Sequence, residues 1–94
     1  MDLKYTVLFD YYGELLTDKE KLYFEDFYFN DLSYKEIADQ YDISRSAIYN
    51  ILKEAEKKLD FYEDKLKLHE KSKKIEKLIK DLDEDKQNKI KELI

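Results

Sequence analysis

Apolar positions fall into helical registers along nearly the whole chain. Across residues 4–16, Tyr5, Leu8, Phe9, Tyr12, Leu15 and Leu16 recur at i, i+3, i+4 and i+7, the spacing of an amphipathic helix with an aromatic face. Gly13 lies in this run and costs it about 1 kcal/mol relative to Ala; a close helix crossing would account for it. Thr17 and Glu20 stand at capping-box spacing, so a second helix is expected from near Asp18. The threonine oxygen accepts an N–H that the first turn leaves without a partner, and the glutamate reaches back to the cap residue. Leu22, Tyr23, Phe24, Phe27, Tyr28 and Phe29 then furnish almost two apolar faces. They suit either a core helix between neighbours or a helix that turns one aromatic face to a partner chain. Asn30 and Asp31 end it.

The stretch from Leu32 to Leu59, LSYKEIADQYDISRSAIYNILKEAEKKL, reads as a helix-turn-helix. Ser33 and Glu36 form a second capping box, and Ile37 and Ala38 face inward over one short helix. Tyr41-Asp42 breaks the run. Such turns commonly use Gly because they need φ > 0, and Asp is among the few tolerated substitutes. Ile43 is expected as a buried plug between the helices. Ser44 is the next N-cap, and Ile48, Leu52, Ala55 and Leu59 form one stripe at spacings of four, three and four. A short helix, a tight turn and a longer second helix is the arrangement of DNA-binding helix pairs.

At 100° per residue, Leu52, Ala55, Leu59, Tyr62 and Leu66 all lie within about 40° of Ile48 on the fourth helix. Ser46, Asn50, Lys53 and Lys57 lie opposite, flanked by Arg45 and Tyr49. Arg and Asn side chains can bond base edges in pairs and Lys can contact phosphate. Glu54 and Glu56 are expected to interrupt this face and repel phosphate. The alternative is a solvated helix surface laced by side-chain pairs one turn apart. Beyond Asp60 the pattern changes sides: Phe61, Leu68, Ile75 and Leu82 recur every seven residues, beside Leu78 and Ile79. This second face needs either a partner helix in a dimer or a bend near His69–Ser72 that folds the tail back. DEDKQNK after Leu82 reads as a polar break, with Ile90, Leu93 and Ile94 in a last frayed turn.

Composition narrows the picture. One Gly, no Pro, and 44% charged against 43% apolar residues among 94 are an all-helical composition of one domain with an appended helix. Fourteen aromatics, nine Tyr and five Phe, argue against disorder. The absence of Cys excludes disulfides, thiolate metal sites and thiol nucleophiles. No apolar run approaches the roughly 18 residues of a membrane span, and no basic-plus-apolar leader opens the chain, so a cytoplasmic protein is expected. His69, alone and without Cys, reads as a surface or helix-end residue, and the acids Asp81, Asp83, Glu84 and Asp85 lack the Gly-containing loop of a calcium site. No catalytic set, glycine-rich phosphate loop or metal-ligand spacing is present. The expectation is a non-enzyme without cofactor or metal.

Net charge is −5, which opposes nucleic-acid binding, and its distribution matters. Residues 1–32 carry three Lys and eight acids, residues 33–69 seven basic and eight acidic residues, and residues 70–94 eight Lys and seven acids. The acid lies away from the helix-turn-helix, yet that motif lacks the basic stripe of a typical footprint. Weak, selective or protein-assisted binding follows.

LLTDKEKLY, DLSYKEIADQYDISRSAIYN and FYEDKLKLHEK resemble the YlxM-like proteins, small bacterial helix-turn-helix proteins, over residues 8–71. The resemblance implies an all-α fold, a sigma region 4-like helix-turn-helix bundle, and says little about the region beyond Lys71. With the apolar pattern, a long fourth helix and a C-terminal helical tail are expected, dividing the chain into a helix-turn-helix domain, 1–69, and a helical extension, 70–94. The resemblance also implies a cytoplasmic accessory or regulatory role linked to the signal recognition particle, because genes of this family sit beside that of the particle's GTPase. Partners would be DNA or RNA, including the particle's RNA, and the GTPase, with a homodimer covering excess aromatic and leucine surface. By matching positions, the nucleic-acid surface falls on Ser44, Arg45, Ser46, Tyr49, Asn50 and Lys53, and the outer face adds Lys57. The alternative function is a protein-interaction module that binds the GTPase and keeps the helix-turn-helix as scaffold. One departure is Glu54, where the family tends to continue basic.

Overall fold

The structure is a computed structural model that describes residues 3–94, and no strand occurs among them. Six helices follow in order: α1 Leu3–Tyr12, α2 Asp18–Tyr28, α3 Tyr34–Tyr41, α4 Arg45–Leu66, α5 Leu68–Ile79 and α6 Glu84–Lys91, with a 3-10 turn at Gly13–Leu15 between α1 and α2. This is an all-α helix-turn-helix bundle, and α4 is its spine, packing against α1, α2 and α3. The predicted stripe Ile48, Leu52, Ala55 and Leu59 is buried against Leu8, Tyr12, Leu16, Tyr23, Phe24, Ile37 and Ala38. Removing each such large side chain from water contributes about 1.5–3 kcal/mol. Leu66, the last residue placed on that stripe, is exposed.

The first helix is shorter than its periodicity predicts. It ends at Tyr12, the backbone tightens into the 3-10 turn, and Leu15 swings into solvent. Gly13 is explained locally rather than by a helix crossing: a Cβ there would stand 3.0 Å from Phe9 Cε2 and Cζ. Both Thr17 and Ser33 form full capping boxes with Glu20 and Glu36. In α2, Tyr23 and Phe24 are buried, and Phe27 and Tyr28 pack against the core. Phe24 stacks on Phe9 and Tyr28 at 4.5 and 4.3 Å between ring centroids, and Phe27 stacks on Tyr34 at 4.9 Å. Phe27 and Tyr28 are thus built into the fold, as a core helix requires, while Leu22 and Phe29 of the same run are exposed.

The turn of the helix-turn-helix is as expected at Asp42, which is left-handed at φ 54° and ψ 47°. Its N–H and that of Ile43 both donate to the Ala38 carbonyl. Ile43 is half-buried, a partial plug.

The tail departs most from expectation. The helix breaks at Lys67, left-handed at φ 56° and ψ 33°, ahead of the predicted His69–Ser72 window. α5 folds back onto α1 and α4, so this part of the tail packs on its own domain. The break interrupts the seven-residue row: Phe61, Leu68 and Leu82 are exposed and Ile75 half-buried, while Ser72 and Ile79 are buried. Glu63 builds this corner. Its Oε1 accepts the Tyr12 hydroxyl at 2.6 Å and the His69 N–H at 3.1 Å, and its Oε2 accepts the Glu70 N–H at 3.1 Å. A carboxylate from the end of α4 thus satisfies first-turn donors of α5 that would otherwise lack partners. The DEDKQNK segment is a helix rather than a break: Asp83 caps α6, its Oδ1 accepting the Lys86 N–H at 2.9 Å.

Four tyrosine–carboxylate bonds join the helices. Tyr5 donates to Asp60 and Tyr12 to Glu63, tying α1 to α4, while Tyr28 donates to Glu56 and Tyr41 to Asp26, tying α2 to α4 and α3 to α2. Four of the chain's 23 acids are therefore structural.

Candidate nucleic-acid interface

Ser44 starts the candidate surface as the N-cap of α4. Its Oγ accepts the Ala47 N–H at 3.1 Å and lies 3.2 Å from Ser46 Oγ. The inward stripe fixes the rotation of α4, which leaves Ser44, Arg45, Ser46, Tyr49, Asn50, Lys53 and Lys57 all exposed. Their side chains differ in how far they are committed. Arg45 and Asn50 make no side-chain hydrogen bond or ion pair among the described residues. Tyr49 sets its ring edge-on to Tyr34 at 5.9 Å, and the Lys53 ammonium lies 5.2 Å from the Tyr49 centroid, within cation–π range.

The lysines of this face are held by acids. Lys53 Nζ donates to Glu56 Oε1 at 3.1 Å, and Lys57 Nζ lies 3.5 Å from Glu54 Oε1. The Glu56 hydrogen bond, with its charge, raises the Lys53 ammonium above its ordinary value. Glu56 is not the exposed interruption that its position in the sequence implied. It is 8% exposed, and its Oε2 accepts the Tyr28 hydroxyl at 2.5 Å. Burial, then this bond, push the Tyr28 phenol well above its ordinary value. Only Glu54 stands on the face as expected.

Beside these residues a groove of about 500 Å³ runs between α4 and α1, lined by Tyr5, Tyr49, Asn50, Lys53, Glu54, Glu56, Lys57 and Asp60. Its far wall is acidic but satisfied: Asp60 accepts Tyr5 at 2.9 Å and pairs with Lys4 at 2.8 Å. Sequence reasoning missed Tyr5 and Asp60 because they are 55 residues apart and neither belongs to the motif. The surface thus runs from an uncommitted guanidinium and carboxamide at the start of α4 to acid-held lysines and a carboxylate two to four turns later. Its first turns are equipped for paired hydrogen bonds to base edges.

Elsewhere the chemistry is sparse. The His69 ring packs 5.6 Å from Tyr11. Among the described residues no group of three or more His, Cys, Asp or Glu is arranged to hold a metal ion. No described helix is long and apolar enough to cross a membrane.

Residues 2–94 match the family UPF0122, described as "Putative helix-turn-helix protein, YlxM / p13 like". A UPF0122 protein of Caldanaerobacter subterraneus subsp. tengcongensis is 52% identical over 77 residues, which are 78% of this chain and 66% of that protein. Another, from Shouchella clausii, is 48% identical over 69 residues, 73% of this chain and 63% of its own length. A third, from Listeria welshimeri, is 44% identical over 77 residues, 82% of this chain and 70% of its own. The chain thus spans about two thirds of the length of these curated relatives, and 54% of one from Thermoanaerobacter. With the caps, the left-handed Asp42 turn and the α4 spine all in place, the chain belongs to the UPF0122 family of YlxM / p13-like helix-turn-helix proteins.

Proposed function

We propose that the chain is a non-enzymatic, nucleic-acid-binding accessory or regulatory protein of the cytoplasm, acting in the signal recognition particle pathway. The observation that carries the binding role is the start of α4, where Arg45 and Asn50 are exposed and uncommitted at the second helix of a helix-turn-helix. Ser44, Arg45, Ser46, Tyr49 and Asn50 face base edges or the adjoining backbone, and Lys53 and Lys57 contact phosphate once they leave their acids. The link to the particle rests on the family resemblance; it makes the particle's RNA a ligand to set beside DNA. In this reading residues 1–69 recognise the nucleic acid and residues 70–94 extend that domain.

The purified chain, titrated side by side against duplex DNA, the particle's RNA and its GTPase at two salt concentrations, tests this. Arg45→Ala or Asn50→Ala should cost about 1–3 kcal/mol of binding and relax site preference. Lys57→Ala should weaken binding uniformly across sequences. Binding unchanged in all three variants removes this surface assignment.

A second reading is favoured by the net charge of −5 and by the acids that hold Lys53 and Lys57. There the helix-turn-helix is a scaffold, and the chain binds the GTPase. Leu22 is one apolar residue that α2 leaves outward, so Leu22→Asp should abolish capture of the GTPase, and no salt-dependent nucleic-acid binding should be seen. A homodimer belongs to either reading, and sedimentation equilibrium separates a mass of 11.5 kDa from twice that.

A further inference from the structure

The chain's lysines are distributed unevenly between paired and unpaired. Along α4, Lys53, Lys57, Lys58 and Lys65 each have an acidic partner. On α5 and its C-cap, Lys73, Lys77 and Lys80 are exposed and make no ion pair among the described residues. Their i, i+4, i+7 spacing puts them on one face, spanning about 10.5 Å of helix at 1.5 Å per residue. With Glu76 they line a shallow concavity of about 400 Å³. The face is directed outward because α5 buries Ser72 and Ile79 on another side and packs against α1 and α4.

We propose that Lys73, Lys77 and Lys80 form a phosphate-contacting surface for a nucleic-acid backbone, separate from the α4 face. The inference rests on the chain being a nucleic-acid binder and adds α5 to the electrostatic part of that binding. A row of uncommitted ammonium groups suits a polyanion with regularly spaced charges, since each contact releases condensed counterions without reading sequence. It also resolves the charge conflict. The α4 face selects with Arg45 and Asn50 while acids restrain its Lys53 and Lys57, and unrestrained cations lie on the helix folded back beside α1. An anionic lipid surface is a poorer fit, because surface-lying helices bury a whole apolar face in the membrane, whereas α5 already buries Ile79 in the protein and leaves only Leu68 and Leu78 exposed.

The test uses the whole chain and a 30-base-pair duplex, as DNA and as RNA, titrated over a salt series. The triple variant K73Q/K77Q/K80Q should weaken binding to every sequence by roughly tenfold or more at low salt. On B-form DNA it should lower the slope of log K against log salt by about 2.7, three contacts' worth. The triple Lys→Arg variant should keep the parent slope. All three positions are exposed, so the circular dichroism spectrum should not change. An unchanged slope in the glutamine variant overturns this inference and leaves the α4 reading standing. Loss of the slope in that variant, with Arg45→Ala and Asn50→Ala silent, upholds α5 and removes the α4 assignment. No binding of the parent chain to either duplex overturns both. Tighter binding to phosphatidylserine vesicles than to either duplex, lost in the glutamine variant, overturns it in favour of a membrane.

Discussion

Tyr28 on α2 donates its hydroxyl to Glu56 on α4 at 2.5 Å, and the other oxygen of that carboxylate holds Lys53 at 3.1 Å. One buried acid therefore joins the core to the candidate interface. Tyr28→Phe takes a donor from a carboxylate that is 8% exposed, and should lower stability by about 1–3 kcal/mol in urea denaturation. Glu56→Gln is expected to act differently. Its amide oxygen can still accept from Tyr28, while Lys53 loses its anionic partner and becomes available to phosphate. Nucleic-acid binding should tighten and its salt slope steepen by about 0.9, one contact. If binding weakens without loss of fold, Glu56 is not what restrains Lys53.

The corner at Lys67 should be acid-sensitive. Burial pushes the Glu63 carboxyl up, but the Tyr12 hydroxyl and the His69 and Glu70 N–H groups outweigh it and hold the carboxyl below its ordinary value. A carboxyl that titrates lower in the folded state stabilises that state above its unfolded pKa, near 4.3. The contribution is lost as pH falls through the lower folded value. Glu20, which accepts Lys58 and the Thr17 N–H against its own burial, is lowered too and adds to the same acid limb. Protection factors of the His69 and Glu70 amides should therefore fall on acidification from pH 6 to about 3. Glu63→Gln should reduce them at pH 6, by on the order of 1–2 kcal/mol, and flatten the dependence. Amides equally protected at both pH values count against Glu63 as the cap of α5.

What the sequence made legible, and what it hid, divides by distance along the chain. Thr17 with Glu20, Ser33 with Glu36, Ser44 and Asp42 act within four residues, so residue type and spacing sufficed. The stripe from Ile48 to Leu59 was readable because one face of α4 is buried over three turns. Glu56 was misplaced because its partner Tyr28 lies 28 residues earlier; spacing alone put it on the flank of the reading face. The break at Lys67 carries no Gly, Pro or Asn signal, and Glu63 organises it together with Tyr12, 51 residues away. α6 was hidden by its polarity, although Asp83 was a usable cap signal. On the candidate interface, the exposure of all seven residues could be read from periodicity. That Lys53 and Lys57 are held while Arg45 and Asn50 are not could not be, because it depends on which acids the fold turns toward them.

Gly13→Ala sets propensity against packing. Propensity alone favours Ala by up to about 1 kcal/mol. The new Cβ, however, would meet the Phe9 ring at 3.0 Å, and that ring is stacked on buried Phe24 with an interplanar angle of 2°. Phe9 cannot give way without disturbing the stack, so the packing cost should win, with a net loss of about 1–2 kcal/mol. Thermal unfolding of the variant checks it, and a gain in Tm would mean that the ring slides freely along Phe24.

Asp42 controls the relation between α3 and α4 through its backbone alone. It is exposed and left-handed at φ 54°, a conformation in which a Cβ crowds the neighbouring carbonyl. Asp42→Gly removes that crowding and should stabilise the chain by about 0.5–1 kcal/mol, a few degrees in Tm, after the greater freedom of glycine in the unfolded chain is offset. Asp42→Val adds a β-branched side chain where φ is positive and should cost about 1–2 kcal/mol. Neither change touches Arg45 or Asn50, so nucleic-acid affinity per folded molecule should stay the same in both. The two unfolding curves should shift in opposite directions from the parent. A loss with Gly and no change with Val would show that the turn does not use the left-handed conformation, and that the angle between the two helices is set by the Ile37, Ala38 and Ile48 packing instead.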